Sequence, residues 1–254
     1  MIKSIFLTAF DLTKKNAIVL IGFFLSIVLL SFLMGLLGEL LRQQIIASVV
    51  YNIFSLIVNI TITIATIKLA FAIISDQTLT FDAIKPTKIE ALKIIRSSFY
   101  LILLIISALF LTLGVLELLG VVDPSFAAFF EDLSKDPNHL FNYTSIQLSY
   151  TLAILLLIIL PTLIIYIRLG FVNYLIIDKE IEVGNAFMLS YQLTKGKLGF
   201  IVLLYLAIIA LNIIGLAFLL IGVLFTIPMS FMVISLAYRY LFPKEMLDEK
   251  NFLI

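Results

Sequence analysis

The chain contains no cysteine and one histidine, His139, and only 13% of its 254 residues are charged. Without cysteine there are no disulfides, zinc–thiolate sites, iron–sulfur clusters or thiol nucleophiles. One histidine gives no basis for a histidine metal centre or an imidazole-based triad. Soluble domains carry about 25% charged and roughly 45–50% apolar residues, whereas this chain is 63% hydrophobic. So few charges cannot keep so much apolar surface in water, and an integral membrane protein is expected. Also missing are a glycine pattern that would cradle phosphate and a carboxylate pair suited to acid–base catalysis. No catalytic residue, cofactor, metal or nucleic-acid partner is expected.

A helix needs roughly 20 mostly apolar residues to cross a hydrocarbon core, and six stretches qualify. They run about 17–38, 45–72, 98–120 and 147–174, followed by a long apolar stretch, 198–242. This last is read as two helices, 198–218 and 222–242, with Gly215 and Gly222 marking the turn. Pro161 lies inside the fourth span and Pro228 inside the sixth. The expected architecture is therefore an all-α, polytopic membrane helix bundle, one transmembrane domain over 1–254. The first apolar run is too long for a signal peptide, and GLLGEL is no cleavage site, so a cleaved leader is not expected.

Basic residues set the orientation, because they favour the cytoplasmic side. With the N-terminus inside, all of the 17 lysines and arginines except Arg42 and Lys135 fall on the inner side. Both termini are accordingly assigned to the cytoplasm. Tyr100, Tyr166, Tyr174, Tyr238 and Tyr240 fall at the inner boundary, and Tyr143 and Tyr150 at the outer one, as interfacial tyrosines should. Asn142-Tyr143-Thr144 in the outer loop (about 121–146) matches a glycosylation tripeptide, a pattern common by chance.

Self-comparison exposes a repeat. The second span ends Ile67-Lys68-Leu69-Ala70-Phe71, the fourth Ile167-Arg168-Leu169-Gly170-Phe171, and the sixth Tyr238-Arg239-Tyr240-Leu241-Phe242. Ahead of the first and fifth spans, Ala9-Phe10-Asp11-Leu12-Thr13-Lys14 matches Ser190-Tyr191-Gln192-Leu193-Thr194-Lys195. Ala91 to Phe99, at the corresponding place in the middle, matches poorly. The expectation is three parallel units, about 1–75, 82–178 and 182–243, each an inner amphipathic helix followed by a transmembrane hairpin. In the first, Ile2, Ile5, Phe6, Ala9 and Phe10 form one stripe, with Lys3, Thr8, Asp11, Lys14 and Lys15 away from it. Such a helix can lie in the interface or serve as a lead-in packed on its own bundle.

The stretch from Asp178 through GNAFMLSYQLTKGKLGF, then LNIIGLAFLLIGVLFTIP and AYRYLF, carries a family resemblance. It resembles the C-terminal third of a group of bacterial and archaeal six-span proteins. The group includes the membrane domain attached to some glycerophosphoryl diester phosphodiesterases and its uncharacterised stand-alone relatives. Ala186, Ser190, Leu193, Thr194 and Gly196 occupy the positions of its Ala-x-x-x-Ser-x-x-Leu-Thr-x-Gly stretch. The resemblance is specific over about 178–242 and topological before that. It implies about six spans and no established activity. The phosphodiesterase catalytic domain is not expected, since the spans leave no room for it and its metal-binding acidic clusters are missing.

Polar residues inside spans are the natural functional candidates. On the second span Asn52, Ser55, Asn59, Thr63 and Thr66 follow helical spacing and form one stripe. In hydrocarbon it needs partners, either on another helix, the favoured reading, or in a wet pathway. Lys68, Arg168 and Arg239 form a basic ring implied by the repeat. It anchors the inner boundary or contacts anionic lipid headgroups. Glu39 and Glu117 lie near outer span ends, Asn212 is read as a packing contact, and Ser31 with Gly35 gives small-xxx-small spacing. Asp123-Pro124 is read as opening a short outer helix with Phe126, Phe129, Phe130 and Leu133 on one face. The inner segment with Lys85, Lys88, Lys93 and Arg96 suits a partner or anionic lipid.

No ionisable residue falls at mid-membrane, which argues against coupled transport. The favoured function is a non-enzymatic protein that organises or senses the membrane, contacts lipid, or serves as a partner subunit or homo-oligomer. The alternative is a small transporter or channel for an uncharged or amphipathic solute, with the Asn52–Thr66 stripe lining its path.

Overall fold

The computed structural model describes residues 1–121, 128, 131, 134, 135 and 145–242. Asp123, Pro124, Phe126, Phe129, Phe130, Leu133, His139, the Asn142-Tyr143-Thr144 tripeptide, Lys244 and Lys250 lie outside the described residues. All regular structure among the described residues is helical: α1 (Ile2–Lys15), α2 (Ala17–Leu41), α3 (Ile45–Ile74), α4 (Phe81–Ile84), α5 (Lys88–Leu118), α6 (Ser145–Leu169), α7 (Val172–Lys179), α8 (Val183–Thr194), α9 (Leu198–Ala217) and α10 (Leu219–Leu241). Six helical stretches are long and apolar enough to cross a membrane: 17–41, 45–74, 81–118, 149–179, 198–217 and 222–241. The protein is therefore read as a polytopic membrane protein. Its many exposed Leu, Ile and Phe side chains on α2, α5, α6 and α9 are what a lipid-facing surface requires.

The chain forms two compact parts, Met1–Ser97 with the chain from Phe171 onward, and Ser98–Gly170. In the first, α1 packs on α10 and α9 pairs with α10. Ile5, Ala9, Leu20, Leu204, Met232 and Val233 belong to its main apolar cluster. The side of α1 bearing Ile5, Ala9 and Thr13 is buried, while Leu7 and Phe10 are exposed. Helix α1 thus packs as a lead-in on its own bundle. In α8 the buried residues are Val183, Ala186, Ser190 and Thr194. The two segments matched in sequence bury the same positions, since Ala9 and Thr13 correspond to Ser190 and Thr194. Asn16 separates α1 from α2, and residues 195–197 separate α8 from α9. In the middle of the chain no such break occurs. Helix α5 begins at Lys88, ten residues before the span expected at 98, so the basic inner segment continues into the span.

Two glycines expected at the turn between the last two spans lie inside helices instead. Helix α9 ends at Ala217 and α10 begins at Leu219, so Phe218 makes the connection. A Cβ on Gly222 would run into the Gly215 backbone carbonyl, and one on Gly215 into the Thr226 side chain. What these positions need is close helix approach, which hydrocarbon favours because packing there relies on van der Waals contact. Asn212 Nδ2 donates to Ser230 Oγ at 2.8 Å, a hydrogen bond that ties α9 to α10. In the α2–α3 hairpin the close approach is at Gly38. A Cβ there would meet the Tyr51 ring at 2.8 Å, and Tyr51 donates to the Met34 carbonyl at 2.6 Å. Ser31 and Gly35 are exposed, with open space where a Gly35 side chain would stand. Their small-xxx-small spacing is not where α2 meets α3.

The fourth span is interrupted. Helix α6 ends at Leu169, and α7 restarts after Gly170 and Phe171. In the second part Leu116, Ile154 and Ile158 pack together, and the Tyr150 hydroxyl donates to the Val121 carbonyl.

Candidate functional site

A charge at the end of an apolar helix must reach water or find a partner, because insertion of Lys or Arg at a span centre costs about 2.5–3.5 kcal/mol. Lys68 and Arg239 have done the second. Lys68 Nζ lies 2.8 Å from Glu90 Oε1, with the side chains only 17% and 11% exposed. Lys68 also donates to the Lys85 carbonyl at 2.9 Å. Glu90 has a further duty. Its Oε2 accepts from the Thr87 backbone N–H at 2.8 Å, while the Glu90 N–H donates to Thr87 Oγ1 at 3.2 Å. This reciprocal pair is a capping box at the start of α5.

Arg239 is held from two sides. Nη2 lies 3.0 Å from Asp178 Oδ1, Nη1 is 3.5 Å from Oδ2, and the guanidinium sits 4.4 Å over the Phe71 ring centroid. The Tyr238 hydroxyl donates to Asp178 Oδ2 at 2.9 Å. Around this ion pair the aromatic residues converge. Tyr238 stacks on Phe242 at 4.8 Å between centroids and contacts Phe71 at 5.5 Å, Phe171 at 6.2 Å and Tyr174 at 5.5 Å. The Phe that closes each of the three span-end motifs is therefore in one cluster around Tyr238.

Lys68, Phe71, Asp178 and Arg239 edge a cleft of about 200 Å³, lined also by Ser75 and Gln77. Lys93 ties α5 to the turn between α7 and α8. It donates to the Glu180 carbonyl at 2.6 Å and pairs with Glu182 at 3.2 Å. Glu180 has a φ of +54°, a left-handed conformation that a non-glycine residue adopts at some energetic cost. Ser97 Oγ donates to Asn173 Oδ1 at 2.9 Å.

The residues singled out from the sequence are placed as follows. Lys68 and Arg239 line the same cleft, each neutralised by a carboxylate. Arg168 is half-buried near the end of α6, in the second part of the chain. The α3 stripe bonds along its own helix: Asn59 Nδ2 donates to the Ser55 carbonyl, Thr63 to the Asn59 carbonyl and Thr66 to the Ile62 carbonyl. Asn52 and Asn59 are exposed, Ser55 and Thr63 half-buried and Thr66 buried. In α8, Ala186, Ser190 and Thr194 are buried, Leu193 is half-buried, and Thr194 donates to the Ser190 carbonyl at 2.8 Å. Gly196 ends the turn after α8 with a φ of +78°, which favours glycine. Glu39 and Glu117 are exposed near the ends of α2 and α5.

The tyrosines divide. Tyr100, Tyr166 and Tyr240 are exposed, whereas Tyr174 and Tyr238, also expected at the boundary, are buried in the aromatic cluster. Sequence reasoning missed Glu90 and Asp178 as counter-charges. Thr87-Lys88-Ile89-Glu90 displays the capping-box pattern openly, whereas nothing local marks Asp178 as the partner of a residue 61 positions away. Compared with known proteins, the chain matches no family model, no curated protein and no solved structure.

Proposed function

We propose that this is a non-enzymatic, six-span membrane protein with both termini cytoplasmic, which engages phosphate-bearing lipid headgroups at its inner boundary. The observation that carries the reading is the cleft. Lys68 and Arg239 line it together, and their carboxylate partners leave part of each cation's hydrogen-bonding capacity unused. The bias of basic residues supports the orientation. The matched span ends and the shared buried positions of α1 and α8 support a three-unit repeat. The motif from Ala186 to Gly196 supports kinship with the membrane domain of glycerophosphoryl diester phosphodiesterases. A protein partner or a second copy fits the exposed apolar faces equally well.

Native mass spectrometry of the purified chain tests the reading. Wild type is expected to retain phospholipid, and the Lys68→Gln/Arg239→Gln variant to lose it. Equal retention by the two proteins overturns the lipid-contact role.

A second reading draws on the exposure of Asn52 and Asn59 along α3, which also suits the wall of a polar pathway. Single cysteines at positions 52, 55, 59, 63 and 66 separate the two readings. Reaction of the row with a water-soluble thiol reagent marks a pathway, and uniform protection marks packing.

A further inference from the structure

The hydrogen-bonding capacity left in the cleft says more than that it is basic. Lysine has three N–H donors, and Lys68 commits two, to Glu90 and to the Lys85 carbonyl. Arginine has five, and Arg239 directs two at Asp178. One donor on Lys68 and three on Arg239 therefore remain without a partner among the described residues. On the acceptor side a carboxylate offers about four lone-pair sites. Asp178 receives Arg239 on Oδ1, and Tyr238 with the more distant Arg239 nitrogen on Oδ2, which leaves capacity on Oδ1. The cleft thus offers several charge-assisted donors beside one carboxylate acceptor.

Charge leads the same way. Lys68 and Arg239 are balanced by Glu90 and Asp178, so the four side chains sum to zero. An anionic ligand would enter a neutral site and leave the spare Asp178 lone pair unmet, whereas a zwitterion adds no net charge. A quaternary ammonium is a poor fit, since it has no N–H to donate and is held by open aromatic faces. Here one Phe71 face is covered by Arg239, and the rings of Tyr238, Phe242, Phe171 and Tyr174 lie against one another.

We propose that the cleft selects a phosphoethanolamine group, its phosphate held by Lys68 and Arg239 and its primary ammonium by Asp178. The proposal rests on the headgroup reading above and narrows it. Two sources supply this chemistry, the phosphatidylethanolamine of the surrounding bilayer and a soluble phosphoethanolamine.

The test is competition on the delipidated full-length chain. Phosphatidylethanolamine, phosphatidylglycerol and phosphatidylcholine of identical acyl chains are offered in equal amounts, and bound lipid is read by native mass spectrometry. A charge-assisted hydrogen bond of the usual strength predicts a preference of about tenfold for phosphatidylethanolamine over both others. Asp178→Asn is expected to abolish that preference and shift retention toward phosphatidylglycerol, because it removes the ammonium site and frees Arg239 for phosphate. The wild-type competition stands alone if that variant does not fold. Retention of phosphatidylglycerol or phosphatidylcholine equal to or above that of phosphatidylethanolamine overturns the selection while leaving the headgroup reading intact. Retention no greater than that of Lys68→Gln/Arg239→Gln overturns both. Added O-phosphoethanolamine distinguishes the sources: displacement of bound lipid supports the soluble ligand, and failure to displace it supports the bilayer lipid.

Discussion

Glu90 joins two interactions in one side chain, a helix cap and a counter-charge for Lys68. The two separate under mutation. Glu90→Gln keeps an acceptor for the Thr87 N–H but leaves the Lys68 ammonium half-answered, and should cost about 1 kcal/mol. Glu90→Ala removes the cap as well and should cost about 2–3 kcal/mol, since a truncated cap alone is worth about 1 kcal/mol. A double-mutant cycle of Lys68→Met with Glu90→Gln, read by unfolding of the purified protein, should give a coupling energy of about 1 kcal/mol. Coupling indistinguishable from zero would show that the pair is incidental. At this scale the sequence is half-legible. Thr87-x-x-Glu90 announces a cap by itself, and Lys68 and Arg239 announce themselves by their matched places. The carboxylates that answer them are set by which helices meet, and no spacing rule encodes that.

Among the helices, apolar letters alone do not choose neighbours, because a Leu-rich face is as well solvated by lipid tails as by another helix. The choice is left to small residues and hydrogen bonds, and the glycines show which ones matter. Gly222→Ala should destabilise the α9–α10 hairpin by about 1–3 kcal/mol, because its Cβ meets the Gly215 backbone. Gly35→Ala, with open space around it, should be neutral or stabilising by up to about 1 kcal/mol through helix propensity. Thermal unfolding in detergent measures both, and equal effects would contradict the assigned packing. The α3 stripe was legible as a spacing and not as a set of partners. Its Asn and Thr side chains bond to carbonyls one turn back, an outlet available to any such residue in a helix. If the stripe only packs, cysteines at Ser55, Asn59 and Thr63 should resist a water-soluble thiol reagent as fully as one at Thr66. A gradient of reactivity running in from Asn52 would favour the polar pathway instead.

For the molecule as a whole, six stretches long and apolar enough to cross a membrane were readable, because length and composition suffice for each. Span interruptions were harder. The break at Gly170–Phe171 falls inside one continuous apolar run, yet it turns Phe171 and Tyr174 toward the cluster around Tyr238. The near-neutral net charge of +1 conceals an uneven chain, whose basic residues fall mostly before the first apolar stretch, between the second and third, between the fourth and fifth, and after the sixth. The proposed orientation puts the end of α3, where Ser75 and Gln77 line the cleft, at the cytoplasmic boundary. The absence of native cysteine makes the question direct. Gln77→Cys and Lys135→Cys are expressed singly and treated with a membrane-impermeant maleimide, in intact cells and after permeabilisation. The account predicts that Lys135→Cys labels in intact cells and Gln77→Cys only after permeabilisation. Labelling of Gln77→Cys in intact cells would place the cleft on the outer face and contradict the account.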